Sequence, residues 1–308
     1  VAAATKQWIT SGREAAPNGS LMRTHPIGIL AVGMSEDEAR QLSTEVGMTT
    51  HVDPRCTVSS AVAVTVIRGI LRGEIVNEDT LDDAIERGYN WIFSAPNSFD
   101  LLYPGSDPDT PREQLSNSLD PEEFFRYVYA KGYDDLQLDD RSSIGYVFKC
   151  LGAGMYVLRL GMRSTDPQAL PPGELFETLM TDLVMQSGDA DTNATVAGAL
   201  LGAWLGYTSL PARWAGGLKY REWLIQKARR AITLLGITEG ELEPEDDEKP
   251  DGGKGLMSEA ELAVRDREFV AMMLQKDHDR RERERKKKTA DSHSGRGSWF
   301  WRTVGYSH

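Results

Sequence analysis

The chain has 308 residues, 40% of them hydrophobic, and a formal net charge of −12. That apolar content supports a substantial core and excludes a chain disordered throughout, and the length allows one or two domains. The acidic balance argues against broad nucleic-acid binding, which needs a basic surface, but leaves room for a local nucleotide-like ligand.

Helical spacing recurs along the chain, and alternating strand patterns are scarce. The first residue is Val1, not Met, and it opens a helix expected over 1–10, which points to a fragment, a processed chain or an incomplete gene model. Ser35, with Glu38 three residues on, has the pattern of a capping box and starts a helix over 35–46. Further helices are expected over 55–72, 79–94, 121–130 (with Asp120 as cap and Pro121 at the first position), 142–160, 174–186, 191–206 and 217–235. The helix 191–206 is apolar nearly all round, which places it at the centre of a bundle. Cys56 and Cys150 fall within apolar helical patterns and read as core residues. Two cysteines are too few for a disulfide scaffold, which favours a reducing compartment.

Residues 97–118 carry several prolines and read as a long loop, and 165–173 as a Pro-rich connector. A globular body over 1–236 is followed by an acidic linker, 237–257, and a charged helical or disordered tail, 258–308, that holds Trp299-Phe300-Trp301. The longest apolar stretch, 194–207, is too short to span a bilayer and no signal peptide is visible. The expectation is therefore a soluble chain without membrane contact. The run 280–288 is basic, but Glu282 and Glu284 interrupt it; it reads as a solvated helix, with nucleic-acid contact or nuclear import as the alternative.

Three constellations carry chemistry. Ser187-Gly188-Asp189-Ala190-Asp191-Thr192-Asn193 sets two carboxylates and a hydroxyl at the first turn of the apolar helix. These are hard oxygen donors of the kind Mg²⁺ and Mn²⁺ prefer. Plain N-capping explains the same residue types, but charges at the mouth of a core helix are costly unless a metal or partner neutralises them. Pro17-Asn18-Gly19-Ser20-Leu21-Met22-Arg23 contains a turn whose N–H groups and hydroxyl can hold phosphate oxygens; a turn before a buried helix is the plainer reading. Thr50-His51-Val52-Asp53-Pro54-Arg55 opens a long helix, with Asp53 and Pro54 as cap and first position. His51 stands where it can donate to a phosphate or ribose oxygen, although most lone histidines do not.

Taken in this order, and together with Pro26-Ile27-Gly28, Ser143-Ile144-Gly145-Tyr146-Val147, the run 197–203 and Leu210-Pro211-Ala212-Arg213-Trp214, these motifs resemble the ADP-ribosylglycohydrolase family. That family includes dinitrogenase-reductase-activating glycohydrolase and crystallin J1-like proteins. The resemblance spans about 1–235. It implies a compact all-α, multi-helix orthogonal bundle and a cleft that holds two Mg²⁺ ions, with Mn²⁺ as the alternative. It implies that Asp189, Asp191 and Thr192 ligate metal, with Asp191 the catalytic candidate. Asn18, Gly19, Ser20, Met22 and His51 would contact ADP-ribose. The implied activity is hydrolysis of the N- or O-glycosidic bond of an ADP-ribosylated protein or small molecule. The family pattern also has an upstream Thr-Asp-Asp cluster that this chain does not show. The alternative expectation is therefore an impaired ADP-ribose-binding or crystallin-like structural member. An intracellular, cytoplasmic protein is expected, with no nucleic-acid partner and with the oligomeric state open.

Overall fold

The computed structural model describes residues 1–111, 115, 118–164, 171–240 and 257–297. The connector at 165–170, most of the acidic linker and Trp299-Phe300-Trp301 lie outside the described residues. The chain divides into two units, Val1–Glu243 and Pro244–His308. The architecture is all-α, with no strand among the described residues; the one extended pairing is an isolated bridge between Pro17 and Tyr146.

The first unit is assembled from α1 (Ala2–Thr10), α2 (His25–Leu30), α3 (Glu36–Gly47), α4 (Pro54–Leu71), α5 (Glu78–Ser94), α6 (Ser98–Leu102), α7 (Pro121–Val128), α8 (Tyr133–Leu136), α9 (Val147–Arg163), α10 (Pro172–Val184), α11 (Ala190–Leu205), α12 (Ala212–Gly217) and α13 (Arg221–Leu234). The second contains α14 (Glu259–Gly297). Local chemistry sets many of these starts. Ser35 and Glu38 close the capping box of α3 in both directions, satisfying N–H groups that a helix leaves unpaired. Asn77 and Thr80 do the same for α5. Asp120 accepts from the Glu122 N–H at 2.9 Å, with Pro121 at the first helical position of α7.

Three boundaries depart from the sequence pattern. The helix expected from 142 begins at Val147. Asp140 takes the Ser142 N–H and both the Ser142 and Ser143 hydroxyls, and Gly145 sits at φ +78°, so this stretch is a turn. The helix expected over 217–235 begins only at Arg221, because Leu218 is extended and ends a separate short helix, α12, at Gly217. Within the expected loop 97–118, residues 98–102 form α6, anchored by the fully buried Leu101. Burial also moves the centre of the bundle. Nearly every residue of α4 and α9 is buried, whereas α11 buries one face, through Thr192, Asn193, Val196, Ala197, Leu200 and Leu201. The small side of α9 lets α11 approach: a Cβ on Gly154 would come within 2.9 Å of Leu200 and Val196. Helix α4, not the stretch at 194–207, is the one described helix long and apolar enough to cross a membrane. Its apolar window is 83% buried inside the bundle, the burial of a core helix.

Both thiols are free and buried. Cys56 donates to the Pro17 carbonyl at 3.2 Å, and Cys150 lies 3.7 Å from the Thr192 carbonyl. The two buried helices α4 and α9 thus support, from beneath, the loop at 17–20 and the start of α11.

Candidate functional site

The turn at 16–20 is tied to the turn before α9: Asn18 N–H donates to the Gly145 carbonyl at 2.9 Å, and Val147 N–H to the Ala16 carbonyl at 3.0 Å. The Asn18 side chain is 6% exposed, and its amide donates to Asp189 Oδ2 at 2.8 Å. Residues 171 apart in sequence therefore meet. Asp189 occupies the N-cap position of α11 but makes no side-chain cap bond. Its Oδ2 turns to Asn18 and not to the helix N–H groups, so the plain capping explanation fails for this residue.

Asp191, in the first turn of α11, is exposed. Its pKa is lowered below the ordinary carboxylate range, first by hydrogen bonding to the Asp189 carboxyl and then by the Thr192 N–H, which donates at 2.9 Å. Two carboxylates held this close repel each other when both are charged, which a cation between them offsets. Thr192 is almost buried, with Oγ1 3.9 Å from Met22 Sδ.

Gly188 makes the approach to this pair possible. It sits at φ +69°, where side chains are strained, and a Cβ there would collide with the Leu138 carbonyl oxygen. Gly145 is close as well: its missing Cβ would lie 3.5 Å from Asp189 Oδ2.

The third motif arrives from α4. A Cβ on Gly19 would stand 2.9 Å from His51 Nε2, so the imidazole packs on the bare backbone of the turn. His51 Nδ1 is 2.7 Å from Thr50 Oγ1, which in turn accepts from the Arg23 guanidinium. A guanidinium can only donate. The Thr50 hydroxyl proton can point at Nδ1, which is closer than the Gly47 carbonyl at 3.5 Å; in that arrangement the neutral ring carries its own proton on Nε2, facing Gly19. Burial, and then the Arg23 charge, lowers the His51 pKa, which keeps the ring neutral near pH 7. Arg23 acts as a brace for the His51 loop, since it also donates to the Gly47 carbonyl at 3.4 Å.

Seven of the eight residues singled out from sequence border one region: Asn18, Gly19, Met22, His51, Asp189, Asp191 and Thr192. Ser20 belongs to the same turn but is 2% exposed, its hydroxyl enclosed beside Cys56. Gly145, Leu138 and Asp140 shape the region without having been singled out. The turn-forming composition of 139–145 was the available signal, hidden by a helical reading that began at 142. A surface cavity of about 470 Å³ is lined by Pro17 and Gly145 together with Arg55, Glu123 and Tyr146. Tyr146 donates to Glu123 at 3.0 Å, and Arg55 stacks over the Tyr146 ring.

In kind, the donors suit a hard divalent cation. One or two carboxylates completed by water and phosphate oxygens make an ordinary magnesium shell, and Asp189, Asp191 and Thr192 offer two carboxylates and a hydroxyl. Among the described residues no group of three or more His, Cys, Asp or Glu side chains stands together as a complete metal cluster.

The ADP-ribosylglycohydrolase family model matches residues 1–241, and the chain belongs to that family. The family is generally metal-dependent and acts on ADP-ribosylated substrates. No curated protein and no solved structure matches the chain.

Proposed function

We propose that this protein is a Mg²⁺-dependent hydrolase that cleaves the glycosidic bond between ADP-ribose and a protein side chain or small-molecule acceptor. The observation that carries the reading is the Asn18–Asp189 hydrogen bond, which places the 17–22 turn against the carboxylate pair. Asp189, Asp191 and Thr192 would hold the ion, with Mn²⁺ as the alternative. A bound divalent ion would orient the ribose hydroxyls and lower the pKa of a water molecule.

The chain's own groups do the rest. The turn offers the backbone N–H groups of Gly19 and Ser20 to the diphosphate, and Gly19 leaves room for it to approach. His51 donates from Nε2 to a ribose or phosphate oxygen, and Met22 covers an apolar edge beside Thr192. Asp191, ionised and exposed, faces the anomeric carbon, where its charge stabilises the oxocarbenium-like state and orients the attacking water. The acceptor leaves on the side of Gly145, where the cavity gives it space. An intracellular, cytoplasmic setting belongs to the same proposal and accords with two free buried thiols.

A second reading is favoured by the absence of a complete carboxylate cluster among the described residues. In it, the turn and His51 bind ADP-ribose without turnover. Release of ADP-ribose from ADP-ribosylated arginine and serine peptides, measured against Mg²⁺ concentration, separates the two. Metal-dependent release that Asp191→Ala abolishes supports the enzyme. Calorimetric binding of ADP-ribose that is indifferent to Mg²⁺, with no release, supports the reader.

A further inference from the structure

Lys149 is the one lysine of the core helix α9, and it is 4% exposed. A buried ammonium costs several kcal/mol unless its charge and protons are used. Here they are used on one loop. Nζ donates to the Gln137 carbonyl at 2.6 Å and lies 3.7 Å from Asp140 Oδ2.

Both contacts lead to the candidate site. Gln137 has φ +47°, a left-handed conformation that a bulky residue adopts only when its surroundings hold it there. The next residue, Leu138, presents the carbonyl oxygen against which Gly188 packs. Gly188 immediately precedes Asp189. Asp140 in turn holds Ser142 and Ser143, the first half of the turn that ends at Gly145. Gly145 accepts from Asn18 and lies beside Asp189. One enclosed cation therefore supports both walls next to the same carboxylate: Gly188 through Leu138, and Gly145 through Asp140.

We infer that Lys149 is a positioning residue that sets the Asp189 carboxylate by pinning the 137–146 loop against Gly188 and Gly145. The metal arm of this inference rests on the proposed function; the loop arm does not. Arg159 supplies the contrast. It is also a buried cation on α9, but its partners are Asp82 and Glu78 of α5, away from the site.

The test compares full-length Lys149→Met, Asp140→Asn and Arg159→Met with the parent protein. Backbone hydrogen exchange and calorimetric titration with Mn²⁺ are the readouts. Lys149→Met is expected to speed exchange in 137–146 and 187–189 but not in α5, and to weaken Mn²⁺ binding about 10-fold or more, the usual effect of losing a group that orients a ligand. Asp140→Asn should loosen 142–146 and leave 187–189 unchanged. Arg159→Met should destabilise the fold while leaving Mn²⁺ affinity as it was. Unchanged exchange in both loops of folded Lys149→Met overturns the inference, as does an equal loss of Mn²⁺ affinity in Arg159→Met. If Lys149→Met does not fold, unchanged exchange at 142–146 in Asp140→Asn overturns it instead. A parent protein that binds no Mn²⁺ removes the metal reading, and the exchange comparison still decides the role of Lys149.

Discussion

Three helices of the first unit begin on an aspartate, α4 on Asp53, α7 on Asp120 and α11 on Asp189, and the first and last of these are put to different uses. At the start of α4, Asp53 is 1% exposed and spends its whole carboxylate on the fold. Oδ1 accepts from the Arg55 backbone N–H and Nε, both at 2.9 Å, and Oδ2 from Arg55 Nη2 at 2.8 Å and Trp8 Nε1 at 3.0 Å. At the start of α11, Asp189 caps nothing and meets a single donor from a distant turn, while Asp191 beside it is open to solvent. Helix preference favours Asp at both places for the same reason. What separates them is whether the fold supplies enough donors to consume the charge. Where it does, the group is structural; where it does not, the lone pairs are left for a ligand.

The sharpest way to break this contrast is to remove the open carboxylate. Asp191→Ala is expected to lower any ADP-ribose release by about a thousandfold, the kinetic equivalent of roughly 4 kcal/mol. Its thermal midpoint should fall only slightly, because the bond lost is the one from the Thr192 N–H to an exposed carboxylate. Turnover equal to the parent would remove Asp191 from the chemistry. The opposite pattern is expected at α4. Asp53→Ala leaves the half-buried Arg55 guanidinium and the Trp8 N–H without their acceptor, and urea unfolding should show a loss of roughly 3 kcal/mol. A loss under about 1 kcal/mol would mean that this network is as dispensable as a surface pair.

Gly188→Ala tests whether the open site depends on close backbone approach. The φ of +69° and the collision with Leu138 predict a loss of about 1–3 kcal/mol in stability together with weaker Mn²⁺ binding. Stability and affinity that both stay at parent values would show that the 138–139 strand of chain moves aside freely.

Much of this contrast was legible in the sequence, for identifiable reasons. Pro54 after Asp53, Pro121 after Asp120, and Ser35 with Glu38 report local chemistry that a linear reading captures, and those helix starts stand where it places them. The pairing of the Asn18 turn with Asp189 spans 171 residues; it was anticipated only because several motifs together resembled a family. Residues 142–146 were misread because Ile144, Tyr146 and Val147 continue an apolar pattern into a turn. The Asp140 carboxylate that stops the helix acts through hydrogen bonds that periodicity does not register. The reading of α11 as the central helix failed for a related reason. Small apolar residues such as Ala199, Gly202 and Ala203 fit an interior and a half-exposed face equally well, and only the packing of α4 and α9 shows which is which.

The smallest effect concerns the His51 side of the site. Burial lowers the pKa of both His25 and His51 from 6.5, and the Arg23 charge lowers His51 further. The unfolded chain therefore takes up protons on these rings at a higher pH than the folded one does. The sign follows from linkage: stability is fully present above about pH 6.5 and is lost as pH falls through the depressed folded-state values. Asp140 is pulled down to about 2, and Glu36 and Asp191 are also lowered, so the titration of these three belongs to more acid solution. Urea midpoints of the metal-free protein should decline modestly between pH 7 and 5, and His51→Asn should decline less steeply, since one of the two rings is gone. Identical slopes would mean that the His51 imidazole is hydrated in solution. The contact with Gly19 that orients Nε2 would then be open, and the donor assigned to the ADP-ribose side of the site would lose its basis.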